Sequence, residues 1–188
     1  IVFWNKMKLK KTSSLSRTVL VIAGSDPSGG AGIQADLKTL TSMGVYGMTA
    51  ITALTVQNTS GVHDILEIPI NFVVNQINAC LVDIKVNAVK IGMLHNSNLI
   101  YAVYKTLSEN SIIGNDQIKI ILDPVMVAKG GHRLLEFEAI DALKNFISKA
   151  KPMLTPNIPE AEILTGIKIK NLIDMEKAGK EIIKLGAR

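Results

Sequence analysis

The chain has 188 residues, 47% of them hydrophobic and 20% charged, with one cysteine, a composition that predicts a single soluble domain with a packed core and excludes fibrous, disordered and disulfide-stapled classes. An aromatic content of 4% leaves too few stacking platforms for a single-strand nucleic-acid binder, and no apolar run approaches the ~20 residues a membrane helix needs. The formal charge of +5 resides in Lys6, Lys8, Lys10, Lys11 and Arg17, so residues 1–17 read as a basic, disordered leader and the neutral remainder, 18–188, as the domain. The lone thiol and the lack of a secretory signal predict a cytoplasmic location.

After the leader, Thr18 to Ala23 is a short β-branched run that stops at a glycine-rich turn, Gly24 to Gly32, and reads as a buried strand. Ile33, Leu37, Leu40 and Met43 follow at helical spacing, with Gly44 placed as a C-cap. Tyr46 to Val56 is rich in Thr, Ile and Val and reads as a second strand closed by Asn58, Ser60 and Gly61. From there the pattern alternates: helix over 71–82, strand over 88–91, helix over 97–109 and strand over 118–122. Helix over 137–149, a short strand over 152–154, a brief helix over 160–164 and a longer one over 172–185 complete it. Strands alternating with helices of this length predict an α/β fold, a mostly parallel sheet with helices on both faces.

In such sheets ligands gather beyond the carboxyl ends of the strands, and the unusual residues fall there. The loop Gly24-Ser25-Asp26-Pro27-Ser28-Gly29-Gly30-Ala31-Gly32 can bring bare backbone near a ligand and aim amide groups at an anion; a tight strand-to-helix turn is the alternative. It lacks the Gly-Lys-Ser/Thr of a phosphate-binding P-loop. It does approach the dinucleotide fingerprint, but no acid lies between Asp36 and Asp64 to hold a ribose. Asp36, early in the following helix, either faces the strand ends or is solvated. Gln57 and Asn58 end an apolar strand, where an amide can read the edge of a heterocycle; Asn58 also suits a plain turn, Gln57 does not. Asp123-Pro124 and Thr155-Pro156-Asn157-Ile158-Pro159-Glu160 each deliver a carboxylate to the same edge, a pair able to hold magnesium together with substrate phosphates. Glu160 could equally be a first-turn helix acid. Lys129-Gly130-Gly131-His132 reads as a phosphate clamp or a surface loop, while Cys80 and His95 read as structural.

Five segments now stand in order: AGSDPSGGAGIQADLKT from Ala23, ITALTVQNTSGV from Ile51, VKIGML from Val89, LDPVMVAKGG from Leu122 and LTPNIPEAEIL from Leu154. Together they resemble the hydroxymethylpyrimidine/phosphomethylpyrimidine kinases of thiamine biosynthesis, within the ribokinase-like fold. The resemblance implies that Gln57 hydrogen-bonds an aminopyrimidine, with Asp36 nearby, Met93 packed on the ring and Gly24 in the same pocket. It implies that Asp123, Asn157 and Glu160 serve ATP phosphates and Mg2+, with Asp123 and Glu160 as metal ligands. The reaction would move the ATP γ-phosphoryl to the 5-hydroxymethyl group and then onto the resulting monophosphate. The full-length protein would be a homodimer.

The family's Gly-x-Gly-Cys segment, which supplies backbone donors at the reacting phosphate, is expected beyond Arg188. The fold is therefore read as C-terminally incomplete and this length by itself as inactive. Two other readings stand beside the kinase, a pyridoxal kinase and a pyrimidine-binding module without phosphoryl transfer.

Overall fold

The computed structural model describes residues 17–127 and 134–188. The leader up to residue 16 and the Lys129-Gly130-Gly131-His132 segment lie outside the described residues.

Among the described residues six strands form one sheet in the order β3-β2-β1-β4-β5-β6. They are β1 (Thr18–Ser25), β2 (Tyr46–Asn58), β3 (Gly61–Glu67), β4 (Ala88–Ile91), β5 (Lys119–Leu122) and β6 (Met153–Leu154). All neighbours pair in parallel except β2 with β3. The helices are α1 (Gly32–Ser42), α2 (Ile70–Asp83), α3 (Ser97–Glu109), α4 (Ala139–Ala150), α5 (Ile158–Thr165) and α6 (Leu172–Leu185).

Because side chains alternate along a strand, β1 sends Leu20 and Ile22 into one apolar layer and Val21 and Ala23 into another. All four are essentially solvent-free, which explains why the strand is apolar throughout. The larger layer also takes Val73 and Ile77 of α2, Val103 and Leu107 of α3, and Phe146 and Ile147 of α4. The smaller one is closed by Ile33 and Leu40 of α1. Burying a side chain such as Leu20 or Ile22 contributes ~1.5–3 kcal/mol, so the central strand holds the site's first loop firmly.

The predicted elements recur with ends shifted by a few residues, and one strand is new. Gly61, expected to close the strand, and residues 62–67, which carry no predicted element, together run back antiparallel to β2 as β3, with Leu54 opposite Leu66 and Val56 opposite Asp64. Asn58 Oδ1 accepts from Ser60 N at 2.9 Å and Gly61 N at 3.2 Å and so makes the turn. The helix expected from residue 160 starts at Ile158, because Asn157 caps it and Pro159 tolerates the first turn.

The sheet changes its direction of growth between β1 and β4, and the crevice beyond the carboxyl ends of those strands is the favoured ligand position. Two register irregularities sit beside it, between Ala23 and Ser25 in the β1–β2 pair and between Val56 and Gln57 in the β2–β3 pair. Such irregularities re-aim side chains near sites.

Candidate active site

The glycine-rich turn after β1 does hold an anion, but the anion is its own. Asp26 is 2% exposed. Its carboxylate accepts from Ser28 N at 2.8 Å, Ser28 Oγ at 2.7 Å, Gly30 N at 3.0 Å and Ala31 N at 2.8 Å. Burial pushes its pKa up, but these bonds outweigh burial and hold it below the ordinary carboxylate value. Gln34 locks the turn from the helix side, accepting from Asp26 N at 2.8 Å and donating to Ser25 Oγ at 2.8 Å. Gly32 completes it with φ +57°; a Cβ there would collide with the Gly24 carbonyl oxygen. The expected external anion is thus corrected: the amides of Ser28, Gly30 and Ala31 are already satisfied.

A cavity of about 230 Å³ opens beside this rigid turn. Gly24 and Ser25 at the end of β1, Gln57 on β2, Gly92 and Met93 after β4 and Asp123 after β5 line it. Met93, 7% exposed, packs with Ala53, Val62 and Leu134 into an apolar wall. A Cβ on Gly24 would lie 3.3 Å from Met93 Sδ, so the bare backbone keeps the thioether in place. Thr55 Oγ1 donates to the Ser25 carbonyl at 2.8 Å and lies 3.2 Å from Gln57 Oε1. The structure therefore brings Gly24, Gln57, Met93 and Asp123 together.

Asp36 stands one layer away. It is not part of the cavity wall but pairs at 2.8 Å with Lys90 Nζ, which is. Both side chains are about one-fifth exposed, at 22% and 23%.

Asn157 and Glu160 stand outside the cavity lining and form a capping box. Asn157 Oδ1 accepts from Glu160 N at 2.9 Å, and Glu160 Oε2 accepts from Asn157 N at 3.0 Å. Glu160 is nevertheless only 4% exposed, and its other oxygen takes Met126 N at 3.4 Å. Burial raises its pKa, with Asp123 adding repulsion against the amides that lower it. Asp123 is raised too, by burial first and by Asp36, with Lys90 opposing. Two carboxylates disfavoured in their charged form by burial and neighbours suit a divalent cation, although among the described residues no three acidic, His or Cys side chains form a cage.

With this geometry in place, comparison with known proteins is decisive. The sequence profile described as phosphomethylpyrimidine kinase matches residues 26–188. The chain belongs to the phosphomethylpyrimidine kinase family. It is 45% identical over 169 residues to the hydroxymethylpyrimidine/phosphomethylpyrimidine kinase of Bacillus subtilis, covering 90% of this chain and 60% of the relative. The Haemophilus influenzae protein of the same name is 47% identical over 172 residues, covering 92% and 62%. The chain thus spans about three-fifths of these curated relatives. Among solved structures, the Clostridium difficile phosphomethylpyrimidine kinase superposes with a TM-score of 0.81 at 45% identity, covering 92% of this chain and 72% of that one. A Staphylococcus aureus pyridoxal kinase in complex with AMP-PCP and pyridoxal gives 0.79 at 33% identity, covering 93% and 61%. The ribokinase-like sheet of this phosphomethylpyrimidine kinase family member is therefore shared with both kinds of kinase.

Sequence reasoning passed over three contributors. Asp26 carried no role of its own in the reading of the glycine-rich loop, although an acid two residues before Ser28 in a Gly/Ser turn is a recurrent side-chain-to-backbone motif. Lys90 gave a signal of its own, a lysine within an otherwise apolar strand. Thr55 lacked one, since threonine is ordinary in strands.

Proposed function

We propose that this chain forms the substrate-binding part of an ATP-dependent kinase that phosphorylates 4-amino-5-hydroxymethyl-2-methylpyrimidine and then its monophosphate. Family membership supports the activity, and the cavity between β1 and β4 carries the reading of the substrate. Gln57 supplies the polar edge and Met93 the apolar face that a small heterocycle needs. The Thr55 proton is committed to Ser25 at the shorter distance, and a hydroxyl has only one. Gln57 then sits best with its NH2 on Thr55 Oγ1 and its carbonyl toward the cavity, an amide orientation set by bonding alone. A carbonyl acceptor there suits the exocyclic amine of an aminopyrimidine.

In the reaction the substrate hydroxyl oxygen bonds to the γ-phosphorus, the bond to the bridging oxygen of ADP breaks, and the hydroxyl proton is lost to a base. Little covalent chemistry is asked of the protein in such transfers; positioning and charge stabilisation dominate. Gln57 and Met93 would orient the ring, and the Asp26-braced turn would hold Gly24 against it. Asp123 and Glu160 would hold Mg2+, and Asn157 would position Glu160 through the capping box. The ion, when bound, would supply positive charge that offsets the charge on the transferred group. The AMP-PCP complex of the S. aureus kinase supports ATP as the donor.

On the same reading the full-length protein is a cytoplasmic homodimer. Leu54, Val56 and Leu66, 41%, 59% and 65% exposed on the outer face of the β2–β3 hairpin, suit a self-complementary contact, and no described helix is long and apolar enough to cross a membrane.

Titration calorimetry of this chain with hydroxymethylpyrimidine tests the assignment. Gln57→Ala is expected to weaken binding by ~1–3 kcal/mol, the usual result of leaving a buried polar partner unpaired. Equal affinity in parent and variant, or tighter binding of pyridoxal than of the pyrimidine by the parent, would refute it.

A further inference from the structure

A kinase that acts twice on one molecule must accept first a neutral hydroxymethyl compound and then a phosphate monoester with up to two negative charges. The second needs a cationic contact where the first needs none. The glycine-rich turn cannot provide it through the amides of Ser28, Gly30 and Ala31, which Asp26 occupies. Among the described residues lining the cavity, Lys90 is the only cation and Asp123 the only acid.

Lys90 rises from the centre of the sheet, with Val21 of β1 and Ile121 of β5 beside it in register. One of its three ammonium protons bonds Asp36 Oδ2 at 2.8 Å; the described protein gives the other two no hydrogen-bond acceptor. Space around the ammonium is kept by Gly92, where a Cβ would stand 3.2 Å from Nζ and 3.0 Å from the Ala23 Cβ. Asp36 thus aims the ammonium from behind, and Asp123 lies near enough to feel the charge of both. With both carboxylates charged, the three groups sum to one negative charge. Without Lys90 an incoming phosphate would meet the Asp123 carboxylate and, among the described lining residues, no cationic side chain.

Resting on the pyrimidine-kinase reading above, we propose that Lys90, aimed by Asp36, is the contact that admits the phosphate of the monophosphorylated substrate and so gives the site its second specificity. Asp36 is a positioning residue in this arrangement, since its carboxylate holds the ammonium and lies outside the cavity wall.

The test is calorimetric titration of the full 188-residue chain with hydroxymethylpyrimidine and separately with its monophosphate. For the parent the ratio of the two affinities is the quantity of interest. Lys90→Met is expected to shift that ratio against the monophosphate by about ten- to a hundredfold, the range of a charge-assisted hydrogen bond, and Lys90→Arg to restore most of it. Asp36→Asn should shift it in the same direction by less. An unchanged ratio in Lys90→Met, or equal loss of both compounds, overturns the assignment while leaving the kinase reading intact. A parent that binds neither compound overturns both. If Lys90→Met does not fold, Lys90→Gln and the salt dependence of the parent decide: monophosphate affinity should fall with ionic strength while that of the neutral compound stays flat, and equal salt dependence overturns the assignment.

Discussion

Replacing Asp26 by asparagine should destabilise the protein by an amount that its hydrogen bonds allow to be worked out. One carboxylate oxygen accepts from Ser28 N and Ser28 Oγ, the other from Gly30 N and Ala31 N. An asparagine keeps one acceptor oxygen and sets an NH2 group against the donors on the other side. Two bonds are lost if the NH2 faces Gly30 and Ala31 and one if it faces Ser28, whose hydroxyl can accept from it, and every bond that remains loses its charged acceptor. Hydrogen bonds to a charged acceptor contribute ~1.5–3 kcal/mol each, but Ser28, Gly30 and Ala31 are exposed enough to recruit water in compensation. The net cost is therefore about 2–4 kcal/mol, or about 4–16 °C in Tm for a chain of this size. The sign of the pH dependence follows from the lowered pKa. A carboxyl depressed in the folded state contributes its full stability above the unfolded value of ~3.9 and loses it as pH falls through the folded value. The gap between parent and Asp26→Asn should therefore be constant from pH 7 to about pH 5 and close at lower pH. Thermal melts across this range, with hydrogen exchange at the amides of residues 28, 30 and 31, are the assay. A variant melting within about 1 °C of the parent at pH 7, with those amides equally protected, would show that the turn does not depend on its acid.

Two further substitutions probe the same region. Gly32→Ala, at φ +57° and against the Gly24 carbonyl, should lower stability by ~1–3 kcal/mol. Gly30→Ala, whose new methyl meets nothing nearer than 3.7 Å, should melt close to the parent; equal effects of the two in denaturant titrations would contradict the strain argument. Asp123→Asn should raise Tm at pH 7, because burial raises the carboxyl's pKa and such a group stabilises the fold most below its unfolded value of ~3.9, less as pH rises through the folded one. The advantage should vanish near pH 3.5, where the parent is protonated, and magnesium should stabilise the parent more than the variant. A variant that melts lower at neutral pH would mean that Asp123 is held by attraction to Lys90 more than it is penalised by burial.

The fold was legible because β1, β4 and β5 are short apolar runs between amphipathic helices, and buried parallel strands have few other ways to read. β3 was hidden because Val62, Ile65 and Leu66 break strict alternation and because the hairpin half-covers a site instead of a core. In the loops, position along the chain placed Gly24, Gln57, Met93 and Asp123 at one edge, since the carboxyl ends of parallel strands must share it. It could not say which donors each acid would meet. That depends on approaches between segments far apart in sequence, such as Lys90 to Asp36 across the β1–α1 layer.

Four acids near that edge show how much turns on those approaches. Asp26 takes three amides and a hydroxyl and becomes a fixed, charged brace. Glu160 takes two amides and becomes a buried cap. Asp36 takes an ammonium and becomes its orienting partner. Asp123 alone lines the cavity, and its carboxylate receives no hydrogen bond from the described residues. A half-buried carboxylate with uncommitted oxygens is costly unless something else binds it, and the one cation among the described residues lining the cavity already bonds Asp36. Of the four, Asp123 is therefore the acid left for a ligand to complete, the position the proposed reading gives it.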